Sequence, residues 1–215
     1  MNGFKYTSTN KRYHTWDYYL KSVFGEKVAK LSLDGGFTCP NIDGTVSRGG
    51  CIFCSKRGSG DFALEITNEN LKEQFEHAKN NIRKKWPGIS KYIAYFQAYT
   101  NTYADIKTLR EKYETVLSLE NVAGLSIATR PDILDEEVLE YLGELNKKTF
   151  LWVELGLQSS NDKTAQLINR GHDFNSFVKS VEQLRKRNIR VCVHIINGLP
   201  GESYNDMIKT VKDIS

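Results

Sequence analysis

The chain has 215 residues, of which 40% are hydrophobic, 26% charged and 11% aromatic, with a net charge of +4. So many rings require a packed interior, which excludes a globally disordered or low-complexity chain. No apolar run approaches the length of a membrane-spanning helix, and the opening MNGFKYTSTNKRYHTWDYY lacks the apolar core of a secretory signal. The expectation is a cytoplasmic protein without disulfides or membrane association, with one sizeable core.

The mild positive balance permits a polyanionic partner without requiring one. Near the N-terminus Lys5, Lys11 and Arg12 are interleaved with Tyr6, Tyr13, His14, Trp16, Tyr18 and Tyr19. Rings beside cations suit single-stranded nucleic acid, and they equally suit a segment packed on a domain. The runs Arg83-Lys84-Lys85 and Arg185-Lys186-Arg187 read as solvated helix faces. Residues 1–27 are read as a basic aromatic segment packed on a core of residues 28–215, and that core is expected to be incomplete at its C-terminus.

The pattern alternates short β-branched runs with long amphipathic ones. Residues 28–33 (VAKLSL) read as a strand, and residues 68–86 as a helix with Leu71, Phe75, Ala78 and Ile82 on one face, stopped by Pro87-Gly88. Residues 92–96 form the second strand and 105–119 a helix carrying Ile106, Leu109, Tyr113 and Val116. A third strand is expected at 122–128, a helix at 134–145 and a fourth strand at 150–157 (FLWVELGL). Helices at 163–169 and 174–187, a fifth strand at 189–196 (IRVCVHII) and a helix from Tyr204 complete the pattern. This rhythm specifies an α/β fold: a parallel sheet of right-handed crossovers, with both faces covered. Five strand–helix units are too few for a closed eight-unit barrel, so a partial, open βα barrel is expected. Ligands then bind at the carboxyl ends of the strands.

Three of the four cysteines, Cys39, Cys51 and Cys54, lie in the loop after the first strand, spaced C-x11-C-x2-C around Gly44, Gly49 and Gly50. Cys192 lies between Val191 and Val193 in the fifth strand and is expected to be a buried small hydrophobe. Three explanations of the cluster stand side by side. A structural zinc site wants four ligands, and His14, His77, His172 and His194 are scattered. Unrelated core or reactive cysteines are the second. An iron–sulfur cluster on three thiolates, with one iron open to a small molecule, is the third.

Three cysteines after the first strand, with Phe53 just before the last of them, resemble the radical S-adenosylmethionine (SAM) superfamily. The first gap departs from the commoner C-x3-C-x2-C, and longer gaps belong to the branch of the Elongator catalytic subunit. The segments GLSIATRPD (124–132), VELGLQS (153–159), LINRGHD (167–173) and GLPGE (198–202) resemble that branch and the oxygen-independent coproporphyrinogen oxidases. LDGGFTCPNIDGTVSRGGCIFC and YFQAYTNTYA are most similar to the bacterial YtqA-type (MnmL) family, implicated in tRNA wobble-uridine modification.

The resemblance implies a [4Fe-4S] cluster on Cys39, Cys51 and Cys54, SAM chelated to the fourth iron, and reductive SAM cleavage to a 5′-deoxyadenosyl radical. It implies SAM contacts from Phe53, Ala98, Tyr99, Gln158, Arg170 and His194, with Tyr99 departing from a common Gly-Gly pair. For Arg170 a helix-end cation, and for His194 a satisfied core histidine, are the structural alternatives. Thr129-Arg130-Pro131-Asp132 either positions SAM or substrate or starts a helix, and an inward Glu154 would be functional or paired. The implied partners are tRNA and an electron donor such as flavodoxin or ferredoxin. The implied step lies in the aminomethyl-uridine branch, in which a carboxymethylaminomethyl-type side chain becomes aminomethyl. The rival readings are a radical SAM enzyme acting on a small molecule such as a porphyrin precursor, and a non-catalytic zinc or nucleic-acid-binding module.

Overall fold

Polar residues ahead of apolar runs set where the helices begin. In the computed structural model, which describes residues 4–7, 9–60 and 70–215, the chain order is α1 (Trp16–Phe24), β1 (Val28–Leu33), α2 (Pro40–Asp43), α3 (Leu71–Lys85), β2 (Lys91–Phe96), α4 (Ile106–Leu117), β3 (Val122–Thr129), α5 (Glu136–Lys148), β4 (Phe150–Gln158), α6 (Asp162–Leu167), α7 (Phe174–Lys186), β5 (Arg190–Ile195) and α8 (Tyr204–Asp213). Thr15, Asn70, Asp105, Asp135, Asn161 and Asp173 each accept a backbone N–H of the first turn that they cap. Ser203 and Asp206 close a reciprocal capping box at α8.

The caps explain where the observed bounds differ from the predicted ones. Asp135 caps α5, so Leu134 stays outside it, and the helix continues past Leu145 to Lys148. α6 stops at Leu167 because Asn169 takes a left-handed backbone with φ 54°. The start expected at Asn68 lies outside the described residues, and α3 runs from Leu71. The short helices α1 and α2 are additions to the predicted set.

The five strands are parallel and lie in the order β1-β2-β3-β4-β5. Because no strand order reverses, the right-handed crossovers place α3, α4, α5 and α7 on one face, and the sheet is an unclosed partial barrel. The outer residues Leu31, Leu33, Tyr92, Phe96, Leu125, Ile127, Leu151, Val153 and Leu155 are buried against these helices with Phe75, Leu109, Tyr113, Leu142 and Leu184.

The inner face differs from the apolar surface expected of a sheet covered on both sides. Alternation points Val28, Ile93 and Phe150 inward at the amino ends of the strands, and Lys30, Tyr95, Ser126, Glu154 and Cys192 inward above them. The lower layer is apolar because α1 covers it. Leu20 clusters with Val28 and Ile93, and Trp16 meets Trp152 edge-on at 4.4 Å. Phe24 packs on Phe150 at 5.1 Å, and Arg190 donates to the Tyr19 hydroxyl. No described helix is long and apolar enough to cross a membrane.

Leu20 is 1% exposed within this contact. Leu20→Ala is expected to destabilise the fold by about 2–5 kcal/mol in urea unfolding. A loss below about 1 kcal/mol would show that α1 is not packed into the sheet.

Candidate metal and cofactor site

The loop between β1 and α3 carries the three cysteines, and its shape is fixed from outside by the turn after α6. Cys39 precedes Pro40, which starts α2, and the Cys54 N–H donates to the Cys51 carbonyl in a tight turn. Asn41 Nδ2 donates to the carbonyls of Asn169 and Arg170 and lies 3.4 Å from Cys51 Sγ. In return Asn169 Nδ2 donates to the Gly50 and Arg48 carbonyls, and its Oδ1 accepts from Ser47. The Ile52 N–H closes the clasp on the Ile168 carbonyl. Gly171 has φ +79°, and a Cβ there would stand 2.5 Å from Asn41 Oδ1. The segment LINRGHD therefore holds the cysteine loop.

Two further contacts set the loop from below. Tyr99 takes φ 62°, donates its backbone N–H to the Gly58 carbonyl and its hydroxyl to the Lys56 carbonyl. Its ring lies so close to Gly58 that a Cβ there would be 2.2 Å from it. The departure from Gly-Gly at this position thus clamps the turn that follows Cys54. Arg170, 6% exposed, crosses over Gly156, donates to its carbonyl and comes within 3.7 Å of Cys51 Sγ. Arg130, paired with Asp132, donates to the Arg170 carbonyl. Arg170 is therefore a buried charge under the thiols rather than a helix-end cation, and Arg130-Pro131-Asp132 braces it.

Cys39, Cys51, Cys54, Phe53, Tyr99, Gln158, Arg170 and His194 line one cavity of about 280 Å³ at the carboxyl ends of the strands. Ala98 is buried and does not line it; it packs beneath Gly60. All three loop cysteines are free thiols. Cys51 is drawn down to about 5 by the hydrogen bond from Cys54, against burial, with help from Arg170 and Asn41. The same bond and burial push the Cys54 thiol up.

These donors fit an iron–sulfur cluster better than a zinc ion. A tetrahedral zinc would hold thiolates about 3.8 Å apart. Cys51 and Cys54 are hydrogen-bonded to each other and Cys39 stands outside their group, so the loop offers three thiols and lacks the fourth ligand of a structural zinc. On a four-iron cube three thiolates leave one iron for another ligand. Gln97 lines the same cavity, and its Oε1 is buried without a partner, an acceptor awaiting a donor.

A polar layer lies below the thiols. Glu154, 3% exposed, accepts from Lys30 and Ser126 through Oε1, and His194 Nε2 is 2.7 Å from its Oε2. Burial opposes the charge on Glu154, but His194, Lys30 and Ser126 outweigh it and bring the carboxyl to about 2. His194 is raised to about 9, first by Cys192 and then by Glu154. Cys192 is half-buried beside these groups, which corrects its expected role as a buried hydrophobe: β5 turns it to the polar inner face, while Val191 and Val193 face the helices. Asn41, Asn169, Gln97, Tyr95 and Ser126 lie inside the quoted segments and Lys30 in the first strand, but none is singled out there individually. The alternation in VAKLSL signals an inward Lys30, whereas the partners of Asn41 lie more than a hundred residues away.

The Radical SAM superfamily profile matches residues 44–214, most of the chain. YtqA of Bacillus subtilis is 58% identical over 214 residues, covering 100% of this chain and 66% of that protein. YhcC of Escherichia coli is 42% identical, covering 91% and 62%. The chain thus spans less than two thirds of the length of these relatives. A tRNA uridine(34) acetyltransferase of Methanocaldococcus infernus is 32% identical over 91 residues, covering 42% and 16%. Among solved structures, Methanocaldococcus infernus Elp3 gives a TM-score of 0.59 at 20% identity, covering 87% of this chain and 42% of that one. The coproporphyrinogen III oxidase HemN of Escherichia coli, a radical SAM enzyme, gives 0.54 at 15%, covering 92% and 44%.

The clasp and the polar layer each carry a prediction. Asn169→Ala removes three hydrogen bonds from the cysteine loop. It should cost about 1–3 kcal/mol and lower the iron retained after reconstitution, measured by unfolding and metal analysis; unchanged iron retention would mean that the loop holds its shape alone. The depressed Glu154 favours folding above its ordinary value of 4.5, and that gain is lost as pH falls toward about 2. The raised His194 favours folding below 6.5, and that gain is lost as pH rises toward about 9. Glu154→Gln should flatten the urea midpoint in the acid window and lessen its fall in the alkaline one, where Cys192 still raises His194, and a profile parallel to the parent's would contradict the pairing.

Proposed function

Because this chain belongs to the radical SAM superfamily, we propose that it modifies tRNA at the wobble uridine, in the branch that yields an aminomethyl side chain. The family's cofactors are a [4Fe-4S] cluster and SAM, which when bound supply one-electron cleavage of SAM and abstraction of a hydrogen atom from substrate. The convergence of Cys39, Cys51 and Cys54 on one cavity at the carboxyl ends of the strands carries the enzyme reading.

In this reading the three thiolates hold the cluster and leave one iron for SAM. Arg170 and Asn41 stabilise negative charge on Cys51, and Tyr99 and Asn169 keep the loop from shifting. Phe53 and Gln158 face the cavity as contacts for SAM, and Gln97 offers its free acceptor to an amino group. The apolar floor under α1 excludes water from below.

The tRNA part is supported by relatives whose names concern tRNA and by the N-terminal surface. Phe4, Tyr6 and Tyr13 are 44%, 50% and 63% exposed, and Lys5 and Arg12 lie over the rings of Tyr6 and Phe4. Exposed rings flanked by cations are suited to unstacked bases and phosphates. An electron donor of the flavodoxin or ferredoxin class completes the proposal.

The test is anaerobic reconstitution followed by iron, sulfide and 5′-deoxyadenosine assays, then tRNA binding across a salt series. About four irons and four sulfides per chain are expected, with dithionite-driven 5′-deoxyadenosine formation lost when Cys39, Cys51 or Cys54 becomes Ala. Binding of undermodified tRNA should weaken steeply with salt. SAM cleavage without salt-sensitive tRNA binding would move the substrate to a small molecule, and zinc with no SAM cleavage would overturn the enzyme reading.

A further inference from the structure

Below the cysteine loop, β4 and β5 present a second set of donors on the wall of the same cavity. Glu154 and Cys192 are register partners on adjacent strands, and His194 lies two residues further along the same face. One oxygen of Glu154, the sulfur of Cys192 and a ring nitrogen of His194 lie within 4.8 Å of one another, the one such group of three among the described residues.

The surroundings are those of a ligand set. Lys30 and Ser126 both occupy Oε1 of Glu154, so its Oε2 is the oxygen turned to the other two donors. An outer shell that grips a carboxylate by its far oxygen fixes the near one for coordination. Lys30 does not take that near oxygen, and its ammonium lies over the Tyr95 ring at 3.6 Å. Glu154 and His194 both line the cavity, Glu154 almost fully buried and the His194 side chain 47% exposed. A carboxylate and a thiolate together balance the charge of a divalent ion.

We propose that Glu154, Cys192 and His194 form a three-ligand site for a divalent transition-metal ion of the zinc class, its fourth position open to the cavity. One nitrogen, one sulfur and one oxygen with an open position follow the pattern of catalytic rather than structural zinc. The thiolate and imidazole select against magnesium and calcium. Metal entry releases two protons to solvent, the thiol proton of Cys192 and the one between His194 and Glu154. The open position takes an oxygen ligand, a carboxylate or hydroxyl of the molecule in the cavity. This site is separate from the cysteine loop, so the cluster reading and the metal reading fail independently.

The test uses the full chain with its cluster reconstituted anaerobically, equilibrated with zinc chloride, freed of loose metal and analysed for iron and zinc. About one zinc per chain is expected beyond the iron. Cys192→Ser and His194→Ala should each weaken zinc binding by about tenfold or more while iron content stays unchanged, which also reports that they fold. The triple variant with Cys39, Cys51 and Cys54 changed to Ala should lose iron and keep zinc. Cobalt(II) in place of zinc should show a thiolate-to-metal absorption that is missing in Cys192→Ser. Failure of the parent to retain zinc would overturn the proposal. So would zinc that persists in both single variants and leaves with the three loop cysteines.

Discussion

The carboxyl end of the sheet takes its shape from a reciprocal grip between two loops far apart in sequence. Asn41, beside Cys39, reaches the backbone at Asn169 and Arg170, and Asn169 reaches back to the glycine turn before Cys51. Among the described residues, the only helix or strand in the cysteine loop is the single turn of α2, and the turn after α6 has none. A loop rich in glycine loses much entropy on ordering, so the clasp must be made of many short polar contacts at once. That is why the third contact, Tyr99 folded onto Gly58, tolerates a left-handed backbone at a non-glycine residue. The strain is small beside the loss of order that its release would allow.

The inner face of the sheet is layered by the same logic of satisfied burial. Apolar residues at the amino ends are covered by α1, and the charged residues above them are paired within the sheet. Lys30, Ser126 and His194 surround Glu154, so its buried carboxylate carries no unmet charge. Above that layer, the ends of β2, β4 and β5 and the cysteine loop enclose the cavity. The lowest layer closes the floor, the middle one holds paired charge, and the uppermost carries the three loop cysteines around the cavity.

Much of this architecture is legible in the chain itself. The alternation of apolar runs and amphipathic helices yields the parallel order of the strands, and the spacing of Cys39, Cys51 and Cys54 marks the loop that lines the cavity. Helix bounds escape the periodicity where a single side chain decides them, as with Asp135 at α5 and Asn169 after α6. The pattern shows α1 only as a packed aromatic segment, because its helix is short and its rings are placed by Trp152 and Phe150, residues far off in sequence. The β-branched neighbours of Cys192 point to the interior; a strand turns alternate residues to opposite faces, and the face of Cys192 is the polar one. The clasp stays invisible for a plain reason: Asn41 and Asn169 announce nothing until the fold brings them together.

The proposed chemistry rests on three cysteines of a clasped loop that would hold a cluster with one iron left free for SAM. Mössbauer spectra of the reconstituted, iron-57-labelled protein, taken with and without SAM, test this most directly. One iron of the four is expected to change its isomer shift on SAM addition while the other three stay alike. Four irons that all remain unchanged with SAM, or no cluster signal at all, would contradict it.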